Sequence, residues 1–368
     1  MWNKWRNYLV FFLVVPVIIL ALVLSGCSSS PTTSVPTTSS PATSTPASTS
    51  PVAAKTVELK LAHAWAPTHL MHIVIQNWAD EVYKATEGRV KITIYPGGAL
   101  STAAQLYDTA ATGVADMVWM LHGYTPGKFP MTSVIELPFM GNSAVNATKI
   151  LWDLMAKYPQ IAEEHQNVKI LYIWGIDTGQ LMTTTKAVRT MEDIKGLKLR
   201  VGSSSSIPMA EALGAVGVLM NISELYDSLQ KDVVQGTLLG TSAIKTFNLS
   251  PVIKHMVIAN IFTNTQAVVV NNNSWNKLSK QDQDIIMNLS GQKQSEVSAK
   301  AYEAEAEAAL KIAKDAGMDI YTLPDSELAR WKKAMEPIYQ KWASDMNAKG
   351  LPGTAILNDA LALTEKYK

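Results

Sequence analysis

From Thr56 onward the apolar residues keep changing period, and this alternation limits the fold more than any other feature of the chain. Val57, Leu59 and Leu61 fall on every second position, the pattern of a strand with one buried face, and Val90, Ile92 and Ile94 repeat it. Between them, Thr68 to Thr86 carries Ile73, Ile75, Trp78, Val82 and Tyr83 at helical spacing. Gly97-Gly98 marks a turn, Thr102 to Ala111 reads as a second helix with a Thr102/Gln105 capping box, and Asp116 to Met120 reads as a third strand. Strand, helix, strand, helix, strand predicts a mostly parallel sheet flanked by helices. A second such unit begins near Asp177. Leu197, Leu199 and Val201 alternate with Lys198 and Arg200, Pro208 opens a helix that Gly214 closes, and Ser223 caps another through Lys231. Strands over Val257 to Ala259 and Gln266 to Asn271 follow. Lys280 to Ala316 is rich in Ala, Glu, Gln and Lys. It is either two helices broken at Ser290-Gly291 or one strut of more than about 50 Å, long enough to cross both units.

A leader and a tether precede this part. Lys4 and Arg6 are followed by the almost wholly apolar Tyr8 to Leu24 and then by Leu24-Ser25-Gly26-Cys27. A basic start, an apolar middle and small residues at the end form a secretory signal, with an uncleaved membrane anchor as the competing reading. Leu-Ser-Gly-Cys resembles the bacterial lipobox, so residues 1–26 are expected to be a signal peptide and Cys27 the lipidated mature N-terminus. Ser28 to Ala54 contains no charged or aromatic residue, and proline recurs at 31, 36, 41, 46 and 51. That composition cannot bury a core and favours extended polyproline II, at about 3.1 Å per residue, which makes 27–55 a tether.

Charge and cysteine usage exclude several classes of function. Thirty-two basic and 31 acidic residues are interspersed, giving a net charge of +1 and no basic face for nucleic acid. Cys27 is the sole cysteine, so the folded part has no disulfide, cysteine metal knuckle or catalytic thiol. No Gly-x-Ser-x-Gly elbow, His-Glu-x-x-His or phosphate-binding glycine loop occurs, and neither catalytic residues nor a cofactor are expected. His69 and His72 sit three apart on one prospective helix face, but spacing supplies no third zinc ligand, so no metal is expected. Trp65, Trp119 and Trp174 lie at or near strand ends, where they either pack a core or line a cleft. Arg200 is the most pointed signal. It ends a strand and is followed by Gly202, Ser203 to Ser206 and the start of the Pro208 helix. A guanidinium fork beside free N–H groups, hydroxyls and a helix N-terminus suits a carboxylate. The competing reading is a solvent-facing arginine on a short strand.

Several stretches, in order, resemble the solute-binding proteins of TRAP (tripartite ATP-independent periplasmic) transporters, the DctP family. They are Gly88-Arg89-Val90-Lys91-Ile92 leading to Tyr95-Pro96-Gly97-Gly98, then Gly113-Val114-Ala115-Asp116-Met117, Phe129-Pro130 and Glu136-Leu137-Pro138-Phe139. Asp193-Ile194-Lys195-Gly196-Leu197-Lys198-Leu199-Arg200-Val201 and Ser223-Glu224-Leu225-Tyr226-Asp227-Ser228-Leu229-Gln230 complete the set. The resemblance implies an α/β, two-domain periplasmic-binding-protein-like clamp (type II-like) with crossing strands and a long domain-spanning helix. Domain I would hold 56–177 and 266–305, and domain II 178–265 and 306–368. It implies a non-enzymatic protein that captures an organic acid between the domains and delivers it to integral membrane permease subunits. Its place would be the periplasm or the outer face of the membrane, held by the lipid on Cys27. The family's carboxylate-pairing arginine falls on Arg200. The position where many members carry another arginine is Gln180, a keto-acid subgroup's acidic cation ligand falls on Leu238, and an asparagine used by some falls on Leu239. These departures favour a monocarboxylate with an apolar or aromatic body. The candidate ligand-binding residues are Arg200, Gln180, Trp65, Met120, His122, Trp174, Ser203 and Leu239. A binding lipoprotein of an ABC importer and a lipid-anchored hydrolase are the alternatives.

Overall fold

The computed structural model describes residues 56–368, so the leader, Cys27 and the tether lie outside the described residues. Among the described residues, eleven strands form two sheets. The first is ordered β2-β1-β3-β10-β4, with β1 Val57–Ala62, β2 Val90–Tyr95, β3 Met117–Leu121, β4 Val168–Gly175 and β10 Thr265–Asn271. The second is ordered β11-β9-β5-β8-β6-β7, with β5 Gly179–Thr183, β6 Lys198–Val201, β7 Val216–Leu219, β8 Gly236–Gly240, β9 His255–Phe262 and β11 Asp319–Thr322.

Both sheets are mixed, which corrects the expectation of a mostly parallel arrangement. β1 runs parallel to β2 and β3, as the helical crossovers dictate, but β10 enters antiparallel between β3 and β4. In the second sheet β5 is antiparallel to both β8 and β9. The reason is long range: the chain leaves the first sheet after β4 and comes back from the second at β10, so the return strand runs the other way. The two crossings lie side by side. The Ile176 N–H donates to the Asn264 carbonyl at 3.0 Å, and the Thr263 hydroxyl donates to the Ile176 carbonyl at 2.6 Å.

Strand alternation sorts the first sheet into two cores. Val118 and Met120 pack with Leu106, Ile150, Ile173 and Val269 on one face. Met117 and Trp119 pack with Leu61, Ile75, Trp78, Tyr172 and Trp174 on the other. The helix Leu70–Ala85 buries Met71, Ile75, Trp78 and Val82 at helical spacing against this second face. One local expectation changes and one open alternative is decided. Thr102 donates to the Gln105 side-chain oxygen at 2.9 Å instead of closing a capping box, and a short 3₁₀ turn precedes the helix Leu106–Ala111. The 280–316 segment is two helices, Lys280–Asn288 and Gly291–Asp315. The second, 25 residues or about 37 Å, nevertheless packs on β4 and the helix Ala144–Lys157 at one end and on the helix Ala243–Thr246 at the other. A Lys245–Glu305 ion pair of 2.7 Å ties that second contact.

Candidate functional site

A cavity of about 90 Å³ opens between the two sheets at the crossings. Trp65, His69, Leu121, Tyr124, Gln266 and Tyr302 line it from the first sheet's side. Arg200, Gly202, Ser203 and Leu239 line it from the second, and Asp177 and Asn264 come from the crossings themselves.

Arg200 stands at the end of β6, where the strand gives way to the serine run. It is 2% exposed. Its Nε donates to the Met220 carbonyl at 3.0 Å, which fixes the fork, while no carboxylate lies within 4.0 Å of it among the described residues. Gly202 is why the fork has room. A Cβ there would sit 3.2 Å from Nη1 and 3.3 Å from Nη2. Burial lowers the pKa of Arg200, with Tyr124 acting in the opposite sense, yet guanidinium remains charged in any protein setting. A buried cation with no anion beside it is costly unless something supplies the anion.

The opposite wall is aromatic. Trp65 stacks on Trp119 with ring centroids 4.0 Å apart and planes at 24°, and His69 leans on both. Asp177 is buried at the crossing, accepting from the Ser242 N–H at 2.8 Å and the Ser242 hydroxyl at 2.7 Å. Burial pushes its carboxyl up to about 6 against those two hydrogen bonds, and Glu305 adds to the rise. Gly240 accommodates it, because a Cβ there would lie 2.8 Å from both carboxylate oxygens.

Of the eight candidates, Arg200, Trp65, Ser203 and Leu239 line this cavity together. The other four are placed elsewhere. Met120 points into the opposite core because the other face of β3 is the cavity side, where Leu121 lines the cavity and Trp119 lies buried behind Trp65. Trp174 is sealed in the core, stacked on Tyr172. His122 is turned away, with Nδ1 3.1 Å from the Thr265 carbonyl and Nε2 2.9 Å from His165 Nε2. Gln180 spends its whole amide on backbone repair. Its oxygen accepts from the Ala259 and Asn260 N–H groups at 2.8 and 3.0 Å, and its nitrogen donates to Thr178 and Asn260. This bridges the register shift between β5 and β9. Leu238 is core, and the paired histidines part ways: His72 faces His63 at 2.9 Å while His69 caps its helix. Sequence reasoning missed Tyr124, Asp177, Asn264, Gln266 and Tyr302 as cavity residues, and did not place His69 there. Nothing local marks them, since the crossings alone gather them.

The fold and site can be set beside known proteins. Residues 61–345 match the family model of bacterial extracellular solute-binding proteins, family 7 (DctP). A sialic acid-binding periplasmic protein of Vibrio cholerae is 25% identical over 273 residues, 73% of this chain and 83% of that one. A TRAP solute-binding protein from Rhodoferax ferrireducens, solved with copurified benzoate, superposes with a TM-score of 0.80 at 29% identity, covering 85% of this chain and 98% of that one. One from Bordetella bronchiseptica, solved with (R)- and (S)-mandelate bound, gives 0.78 at 30% identity, with 85% and 100% covered. These likenesses are to transporter components rather than enzymes, which sets aside the hydrolase and the ABC importer. No helix among the described residues is long and apolar enough to cross a membrane. With a family match running over most of its length and a two-domain clamp fold shared with solved members, the chain belongs to the family 7 extracellular solute-binding proteins, the solute-binding proteins of TRAP transporters.

Proposed function

We propose that this solute-binding protein captures a small organic monocarboxylate with an apolar or aromatic body in the cavity between its two sheets. Arg200 takes the carboxylate, and Trp65, Leu121 and Leu239 surround the body. Closure of the two sides excludes water and strengthens the charge pair, because attraction grows as the local dielectric falls. The loaded clamp then docks on TRAP permease subunits, tethered nearby through an acylated Cys27.

The observation that carries this reading is the buried, fixed Arg200 fork with no carboxylate partner among the described residues. Ligand kind follows from the walls, which hold one fixed guanidinium amid mainly apolar and aromatic side chains. The benzoate and mandelate of the two relatives are acids of the same description.

The test is a thermal-stability screen of residues 55–368 against organic acids. A ligand at a hundred times its dissociation constant adds about 2.7 kcal/mol of stability. Arg200→Ala is expected to cost about 3–4 kcal/mol, or two to three decades of affinity, through the ligand charge it leaves unpaired. Binding by the variant within a factor of three of wild type would overturn the assignment.

A further inference from the structure

Two neutral side chains on the aromatic wall have hydrogen-bonding directions that leave no choice. His69 heads the helix Leu70–Ala85, and its Nδ1 accepts the Met71 N–H at 3.1 Å. A ring nitrogen that accepts carries no proton, so the proton of the neutral ring sits on Nε2. Burial, helped by His72, lowers the pKa of His69 to about 4, which keeps the ring neutral at ordinary pH. Gln266 is settled by the same logic. Trp119 Nε1 can only donate, and it lies 3.1 Å from Gln266 Oε1, to which the Tyr302 hydroxyl also donates at 3.0 Å. The NH₂ end of the amide therefore points away from both.

Both residues line the Arg200 cavity, Gln266 at 2% exposure and His69 at 7%. Neither His69 Nε2 nor Gln266 Nε2 has a hydrogen-bond partner among the described residues, and neither is sealed from open space. A donor of fixed direction on a cavity wall, with nothing to meet it, is satisfied only by an acceptor inside the cavity.

We infer that His69 and Gln266 are specificity-determining ligand contacts, two N–H donors that demand an acceptor oxygen on the bound acid in addition to the carboxylate held by Arg200. This rests on the reading of Arg200 given above. An acid with only hydrocarbon there leaves buried donors unpaired, and an ammonium group would meet them donor to donor. A site built to hydrogen-bond one oxygen rejects the analogue that lacks it far more strongly than shape alone can. The ligand class narrows accordingly to oxygen-bearing acids, with a keto oxygen as the simplest acceptor-only case.

Matched acid pairs test this by titration calorimetry: pyruvate with propionate, phenylpyruvate with 3-phenylpropanoate, and 4-oxopentanoate with pentanoate. Wild type is expected to bind the oxo member of at least one pair at least tenfold more tightly than its partner. His69→Asn keeps the helix cap, since an asparagine oxygen accepts the same backbone N–H, but it removes the Nε2 donor. Gln266→Met removes the amide, and its loss of the Trp119 and Tyr302 bonds touches both members of a pair alike. Each variant is expected to bring the ratio below threefold. A wild-type ratio within threefold in every pair, or a ratio kept in both variants, would overturn the inference. If those equally bound acids are lost in Arg200→Ala, only this inference falls. If no acid binds wild type at all, the Arg200 reading falls and takes this one with it.

Discussion

The two walls of the cavity are made of different chemistry on backbones of similar kind. The wall from the second sheet offers one charge on a fixed fork, framed by Gly202, Ser203 and Leu239, with Ile222 and Phe247 adding apolar bulk. The wall from the first sheet carries no charge. It is a stack of rings, Trp65 on Trp119 with His69 across them, braced by a glutamine held between Trp119 and Tyr302. A charge acts over several ångströms and is indifferent to what the anion is attached to, whereas ring faces and directed N–H groups act only at contact. The two walls therefore divide the labour. One side attracts any small acid, and the other decides which acid the closed clamp will keep.

That division breaks most visibly in a paired affinity measurement. Arg200→Ala should cost all carboxylates two to three decades alike, with or without a ring. Arg200→Lys keeps a charge but loses the two-pronged geometry, so it should recover about one of those decades and remain at least tenfold weak. Trp65→Ala should cost ring-bearing acids about tenfold, near 1.4 kcal/mol, and aliphatic acids less than about threefold. If Trp65→Ala weakens every acid equally, the aromatic wall is only a support. If Arg200→Ala discriminates between acids, the charged wall is doing the selecting.

The halves of this site were unequally legible in the sequence, for a physical reason. Arg200 announced itself because everything that makes it suitable is local: a strand end, a glycine, a hydroxyl run and a helix start within nine residues. The helix Leu70–Ala85 and the helix Ile207–Ala212, with Pro208 in its first turn and Gly214 just beyond its end, were legible for the same reason. Gln266 and Tyr302 were not, since one sits on the return strand and the other on a helix that reaches both sheets, and only the crossings bring them together. Met120 shows a subtler limit. Alternation along β3 was readable, but which phase faced the cavity depended on β10 arriving beside it, with Gln266 paired to Leu121. Gln180 was singled out by position in a family pattern, yet the register shift between β5 and β9 claims its amide. A bulge of that kind leaves no trace in hydrophobic periodicity.

The smallest expected effect lies where the walls meet. Asp177 shares the cavity with Arg200, and its carboxyl, raised to about 6 chiefly by burial, changes charge within an accessible pH range. Below that value it is protonated and neutral. Above it, a second anion faces the bound carboxylate. For an acid ionised throughout, affinity should therefore fall as pH rises from 5 to 7.5, by about threefold, as expected for like charges several ångströms apart in a partly screened cavity. His69 does not blur the window, because its pKa is lowered to about 4, and Arg200 stays charged across it. Asp177→Asn keeps an oxygen for the Ser242 N–H and fits over Gly240 as the carboxylate does, so it should flatten the slope without unseating the turn. Titration calorimetry at four pH values on both proteins decides it. A slope that persists in Asp177→Asn would place the titrating group elsewhere. An affinity that rises with pH in wild type alone would instead make Asp177 an acceptor for a donor on the ligand, and the uncharged wall would no longer be the sole selector.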